Sequence, residues 1–354
     1  MSPIHAAVHK PEAHSKKTIF LVGLFLFVAI AGLFYVKWWP YYHKVILAFT
    51  TSSIGTSIIG EGDLPAPSWE SAWSYATAYF AAVWKAAVLG ILLGSLIQVL
   101  IPSAWLLKVL GKTSFGSTAA GGAASLPGMM CSCCAAPIAI GMRKRKASVG
   151  ASLAFWIGNP AINPAVLIFM TFVLSWKFTL LRLAAGLLLT FGVSYFANRF
   201  AKEAEGEEME GLLEDAEPEK GSFLSRWMKS MGSMVLYVVP AYLLSVLLLG
   251  AARVWLFPNI SGAAADGILI ILLFAVTGML FVIPTAAEIP IVQSMMAFGL
   301  GAGPAAALLV TLPAISLPSI LMVARSFPKK VILFVMASVT AVGTISGIIG
   351  MYLF

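Results

Sequence analysis

Seven apolar stretches, none shorter than 19 residues, run through this 354-residue chain at positions 18–36, 78–101, 149–173, 178–197, 234–257, 301–324 and 331–354. At about 1.5 Å of rise per helical residue, each is long enough to cross a hydrocarbon layer of about 30 Å. The composition agrees: 60% of residues are hydrophobic and only 11% are charged, where soluble domains carry about 25%. The chain therefore reads as an all-α integral membrane protein with the lipid bilayer as its partner. The formal charge of +8 does not indicate nucleic acid, because the basic residues form short clusters beside apolar runs, as cytoplasmic membrane loops do. Nine of the 15 carboxylates crowd between Glu203 and Glu219 in an acidic linker.

Charge placement predicts the topology. Lys16-Lys17 puts the N-terminus in the cytoplasm, and 18–36 is read as a retained anchor, with a signal peptide cleaved near Ala29-Ile30-Ala31 as the competing reading. Residues 37–77, rich in Trp and Tyr, are expected to lie on the outer membrane surface. Two stretches of about 30 residues, 113–142 and 266–296, are broken by Gly121-Gly122, Pro127-Gly128, Pro137, Pro284 and Pro290. The basic cluster Arg143-Lys144-Arg145-Lys146 belongs inside, so 113–142 must enter and leave on the same face, as a re-entrant hairpin.

An internal repeat accompanies this. At a shift of 153 residues, Pro137-Ile138 pairs with Pro290-Ile291, Gly150 with Gly303, and Pro160-Ala161-Ile162 with Pro313-Ala314-Ile315. At a shift of 156, Gly94 pairs with Gly250 and Pro102 with Pro258. The chain divides into an N-terminal tail, anchor and interfacial segment (1–77), a first unit (78–197), a linker (198–233) and a second unit (234–354). The units start on opposite sides, which makes two inverted-topology repeats, each with a re-entrant or broken helix hairpin, plus an extra N-terminal transmembrane helix. That architecture belongs to transporters with a midplane site.

Candidate site residues follow from the breaks. Cys131, Cys133 and Cys134 lie in Met129-Met130-Cys131-Ser132-Cys133-Cys134 near the first hairpin tip. Thiols favour soft, thiophilic centres, and Cys131 and Cys133 reach one centre only if the backbone there is not a regular helix. Single membrane cysteines are commonly packing residues; three in four residues at a break point to binding. Glu288, in Ile283-Pro284-Thr285-Ala286-Ala287-Glu288-Ile289-Pro290, has no basic residue between Asp266 and Arg325 to pair with it. A carboxylate at that depth reads as a proton-coupling residue unless the segment is shallow and the group sits in water. Thr285 beside it is a candidate solute contact. In Gly158-Asn159-Pro160-Ala161-Ile162-Asn163-Pro164, Asn159 and Asn163 either contact solute or satisfy backbone groups freed by the prolines. Lys85 is expected to snorkel outward. All four histidines lie in or beside aqueous segments, so no metal or cofactor is expected.

Through Cys131-Ser132-Cys133 followed by Pro137, the basic turn to Lys146, Ala147-Ser148-Val149-Gly150-Ala151 and Asn159-Pro160-Ala161-Ile162-Asn163-Pro164, the chain resembles the YraQ-type predicted permeases over roughly 75–354. These include the ArsP organoarsenical efflux permeases. The resemblance implies a bacterial inner-membrane permease, in ArsP members exporting trivalent organoarsenicals that bind thiols. Family members commonly carry Ser after the second Cys; here it is Cys134, which leaves open whether a third thiol joins the site. The expectation is a non-enzymatic permease for a small thiophilic or sulfur-containing solute, with a homo-oligomer left open. An intramembrane thiol-redox enzyme and a structural membrane subunit are the alternatives.

Overall fold

The computed structural model describes residues 16–60, 66–101, 103–202, 222–257 and 267–354. All regular structure among them is helical. Helix α1 (Lys16–Leu33) passes through a π-turn (Phe34–Trp38) into α2 (Trp39–Thr51). The π-turn has a chemical cause: Pro40 has no N–H to donate to the Val36 carbonyl, and the Trp39 N–H reaches back five residues to Phe34. The first span thus does not stop at Val36. It continues as one membrane-length helix, Phe20–Thr51, and buries Lys37 and Tyr41, which the sequence had placed on the membrane surface. A π-turn lets a helix carry one polar position inward without ending, so the apolar run was a poor guide to where this helix stops.

The stretch read as the first unit, with its flanks, holds α3 (Trp69–Leu100), α4 (Ser103–Leu110), α5 (Phe115–Ser125), α6 (Ser132–Lys144), α7 (Val149–Ala161), α8 (Pro164–Val173), α9 (Trp176–Leu187) and α10 (Ser194–Lys202), the last two joined by a π-turn; α3 starts before residue 78 and α10 runs past residue 197. The stretch read as the second unit holds α11 (Phe223–Leu256), which begins inside the expected linker, then α12 (Ile268–Leu280), α13 (Glu288–Ala297), α14 (Ala302–Ala314), α15 (Leu317–Val323) and α16 (Lys329–Leu353). The core of the acidic linker lies outside the described residues. Seven helices among those described are long and apolar enough to cross a membrane, and they coincide in number and place with the seven apolar runs. Their starts are set by side-chain caps: Ser68, Ser114, Ser148, Asn163, Ser175 and Ser222 each accept a backbone N–H of the first turn.

The packing of one unit is echoed in the other. α5 lies on α7 as α12 lies on α14, and α6 meets α7 as α13 meets α14. Between units, α3 packs along α11, α6 touches α15, and α13 touches α8. The most enclosed spans are the two proline-broken ones, Val149–Val173 and Ala302–Val323, while Phe20–Thr51 faces outward over most of its surface. The molecule is thus centred on two broken helices. The helices of the two interrupted stretches, at 10 to 13 residues, reach only about 15 to 20 Å, short of a full crossing.

Candidate substrate site at the two helix breaks

The loop before α6 turns on Met129, whose φ of 48° is left-handed. Cys131 is then the extended N-cap of α6, so that Cys133 and Cys134 already belong to the helix. This decides which thiols meet. The Sγ atoms of Cys131 and Cys134 lie 3.0 Å apart, one helical turn from each other, whereas Cys133 turns the other way and contacts Ser316 Oγ at 3.2 Å. The expected Cys131–Cys133 pair is therefore a Cys131–Cys134 pair. All three are free thiols and buried.

Ser316 is the 153-residue counterpart of Asn163, and it begins α15 through a capping box with Ser319. Its hydroxyl also lies 3.1 Å from Ser132 Oγ. The hydroxyl of Tyr79 on α3 lies 2.7 Å from that of Tyr242 on α11. The hydroxyls of Ser132, Ser316 and Ser319 therefore link the thiol-bearing helix start to the second helix break.

The second interruption leaves α12 with an extended Phe281, runs without regular structure to Pro284, turns through Ala286 at φ 74°, and starts α13 at Glu288. Tyr75 of α3 donates to the Val282 carbonyl. Glu288 is not alone: Arg182 Nη1 of α9 stands 2.7 Å from Glu288 Oε1, with side chains 2% and 1% exposed, as an ion pair that is not aligned as a hydrogen bond. Glu288 Oε2 has no partner. Arg182 Nη2 donates to the Pro160 carbonyl at 3.0 Å, which Pro164 leaves without its usual donor four residues on. The signal for this partner is a lone arginine inside the apolar run 178–197, far from Glu288 in sequence.

The two asparagines have different surroundings. Asn159 Oδ1 accepts from Met130 N at 3.4 Å and its Nδ2 donates to Phe155 O at 2.9 Å, so its amide ties the cysteine loop to α7. Asn163 Oδ1 caps α8 through Val166 N, but its Nδ2 is buried without a partner. Thr285 is half-buried and accepts from Lys37 Nζ at 3.1 Å. Lys37 was not foreseen as a site residue, and neither were Arg182, Ser316, Tyr79 or Tyr242. Lys85, by contrast, lies over the rings of Tyr35 and Trp84.

Asn159→Ala removes the acceptor of a buried Met130 N–H. A loss of about 1–3 kcal/mol is expected, seen as a lower unfolding temperature in detergent together with faster maleimide labelling of Cys131. Unchanged stability and labelling would mean that the asparagine does not hold this loop.

Two proline-broken helices enclosed at the centre of a multi-pass bundle, each met by a polar helix start from the other unit, define a membrane transporter rather than a soluble or surface enzyme. The chain belongs to the predicted permease family of the ArsP type, whose model matches residues 78–352. It is 51% identical over 326 residues to the UPF0718 protein YraQ of Escherichia coli (strain K12), covering 92% of this chain and 93% of that one. It is also 28% identical over 132 residues to the UPF0718 protein MJ0584 of Methanocaldococcus jannaschii, covering 37% and 36%. No solved structure matches it. The family makes the protein a permease and not an enzyme, which removes the thiol-redox alternative.

Proposed function

We propose that this permease moves a small thiophilic or sulfur-containing solute across the bacterial inner membrane, with its N-terminus in the cytoplasm, by rocking two inverted units about a midplane site. Efflux of trivalent organoarsenicals is the specific form that the family resemblance suggests. The observation that carries the reading is the crossed docking of the two interruptions. The thiol-bearing start of α6 lies on the break of the second unit at Ser316, and the Glu288 start of α13 is tied through Arg182 to the break of the first at Pro160. Unsupported backbone at membrane depth is tolerated where protein covers it or a cavity lies beside it. Discontinuous helices whose ends face a common centre are the means by which transporters build ion and solute sites.

In this scheme the Cys131–Cys134 pair binds the soft atom, and Cys133 carries the contact to the second unit. The free Asn163 amide and Thr285 orient the solute, and Asn159 positions the loop. Glu288 exchanges the coupling proton: protonation weakens its hold on Arg182 and frees α13 from the first unit. Accumulation of trivalent methylarsenite in everted membrane vesicles tests the solute. Cys131→Ser and Cys134→Ser should each lose most of the accumulation, and Cys133→Ser should keep more of it than either. Equal accumulation in all variants and wild type would remove the thiol-dependent reading and leave the cysteines as packing residues of a permease for another solute.

A further inference from the structure

The centre of the molecule is short of negative charge. Among the described residues the buried charged side chains are Lys37, Arg182, Arg253 and Glu288, three cations to one carboxylate. The other described carboxylate, Glu70, is exposed in the first turn of α3. Glu288 is engaged by Arg182, and Arg253 lies in the last turn of α11 over the ring of Tyr75. Lys37 differs from both. It is 6% exposed near the middle of the Phe20–Thr51 helix, and all its partners are neutral: the Tyr41 hydroxyl at 3.2 Å, the Thr285 hydroxyl at 3.1 Å and the Tyr41 ring at 5.2 Å.

Two oxygens and a ring face suit an ammonium, yet they occupy two of its three donors and supply no opposite charge. A buried charge without a counter-ion is costly and marks a functional position inside a membrane. Two further features act in the same direction. The helix α13 begins three residues after Thr285, so the partial positive charge of its N-terminus adds to that of Lys37. Cys131 stands four residues after Pro127, whose carbonyl is held by Trp38, the residue next to Lys37. The Trp38 indole next to it donates to the Pro127 carbonyl at 2.8 Å, so the N-terminal helix touches both interruptions.

We infer that the N-terminal helix is part of the substrate site and that Lys37 is the counter-ion of an anionic solute, a small sulfur-containing anion held between this ammonium and the Cys131–Cys134 pair. The inference rests on the thiol-dependent reading above and narrows its substrate class. Lys37 lies upstream of residues 78–352, so this charge is supplied by a segment outside the part that the family model matches.

The test uses the full-length protein in detergent and follows its unfolding temperature with thiosulfate, sulfate, chloride at matched ionic strength, or methylarsenite. Thiosulfate should stabilise the wild type beyond chloride and beyond sulfate. Lys37→Arg should retain the effect, and Lys37→Met should weaken apparent thiosulfate affinity on the order of ten- to a hundredfold, the size expected for one lost charge-assisted hydrogen bond. Cys131→Ser should abolish the preference for thiosulfate over sulfate. Absence of anion stabilisation in the wild type, or equal affinity in Lys37→Met, would overturn the inference.

Should Lys37→Met fail to fold, protection of Cys131 from maleimide labelling by thiosulfate in the wild type decides instead, and absence of protection overturns it. Slower labelling of Cys131 in Lys37→Met with unchanged anion affinity would make Lys37 the partner of a thiolate and also overturn it. Cysteine-dependent stabilisation by methylarsenite alone would sink the anionic solute while leaving the thiophilic reading intact. Lys37-dependent anion binding that is indifferent to every cysteine change would do the reverse.

Discussion

Arg182→Met is expected to destabilise the protein by about 3–5 kcal/mol, the usual result of removing one member of a buried ion pair. Two losses combine in this variant. Glu288 is left as an unpaired carboxylate in a site that is 1% exposed, and the Pro160 carbonyl loses the donor that replaces the missing N–H of Pro164. Glu288→Gln should also destabilise, since it leaves the Arg182 guanidinium buried without a counter-ion. The double variant Arg182→Met/Glu288→Gln should recover part of the loss, because neither member of the pair is left behind as a stranded charge. Arg182→Lys should not rescue, since one ammonium cannot reproduce the two-point fork that holds Glu288 and Pro160 together. Unfolding temperatures and inactivation rates of the four proteins in detergent supply the cycle. Additive effects, or a loss in Arg182→Met below about 1 kcal/mol, would mean that the pair does not couple the two units.

The same pair shows where the sequence was informative and where it stopped. The number and place of the membrane-length helices follow from apolar length alone, because lipid imposes that length on any crossing segment. The positions of the interruptions follow from Gly and Pro, whose backbone chemistry is local. The partner of Glu288 could not be found by scanning nearby residues, since Arg182 is 106 positions away and belongs to the other unit. Its presence as a charge inside an apolar run is nevertheless visible, whereas Lys37 falls just past the end of one. Lys37 was read as the end of a helix because the π-turn that carries it inward leaves no mark on hydropathy. The pairing of the thiols was hidden for a smaller reason: it depends on α6 starting at Ser132 and not one residue earlier or later, a boundary that composition does not set. Asn159 and Asn163 were legible as residues of the break, but the division between a loop-tying amide and one with a free donor depends on packing.

A leucine at Gly94 is expected to be the most damaging single change outside the ion pair, and it reports on how the thiol-bearing helix is seated. Gly90 and Gly94 lie one turn apart on α3, as small residues do where two membrane helices approach backbone to backbone. A side-chain carbon added at Gly90 would run into the carbonyl oxygen of Cys134, and one added at Gly94 into that of Pro137. Both obstacles are main chain, so no rotamer change relieves them. The α6 helix must then move away from α3, taking the Cys131–Cys134 pair and the Cys133 contact to Ser316 with it. Gly94→Leu should therefore cost at least the 1–3 kcal/mol of an overpacked core and exceed it, because neither helix yields. Gly94→Ala should show a smaller loss of the same sign. Gly232→Ala in α11 is the control of opposite sign: nothing lies within 4 Å of an added carbon there, and alanine in place of a helical glycine should gain about 0.5–1 kcal/mol. Unfolding temperature gives the energies, and maleimide labelling of Cys131 gives the displacement, which should rise in Gly94→Ala and stay at the wild-type level in Gly232→Ala. If Gly94→Leu unfolds at the wild-type temperature with its thiols equally protected, α6 is not seated on α3 by backbone contact, and the cysteine geometry described above would have to be abandoned.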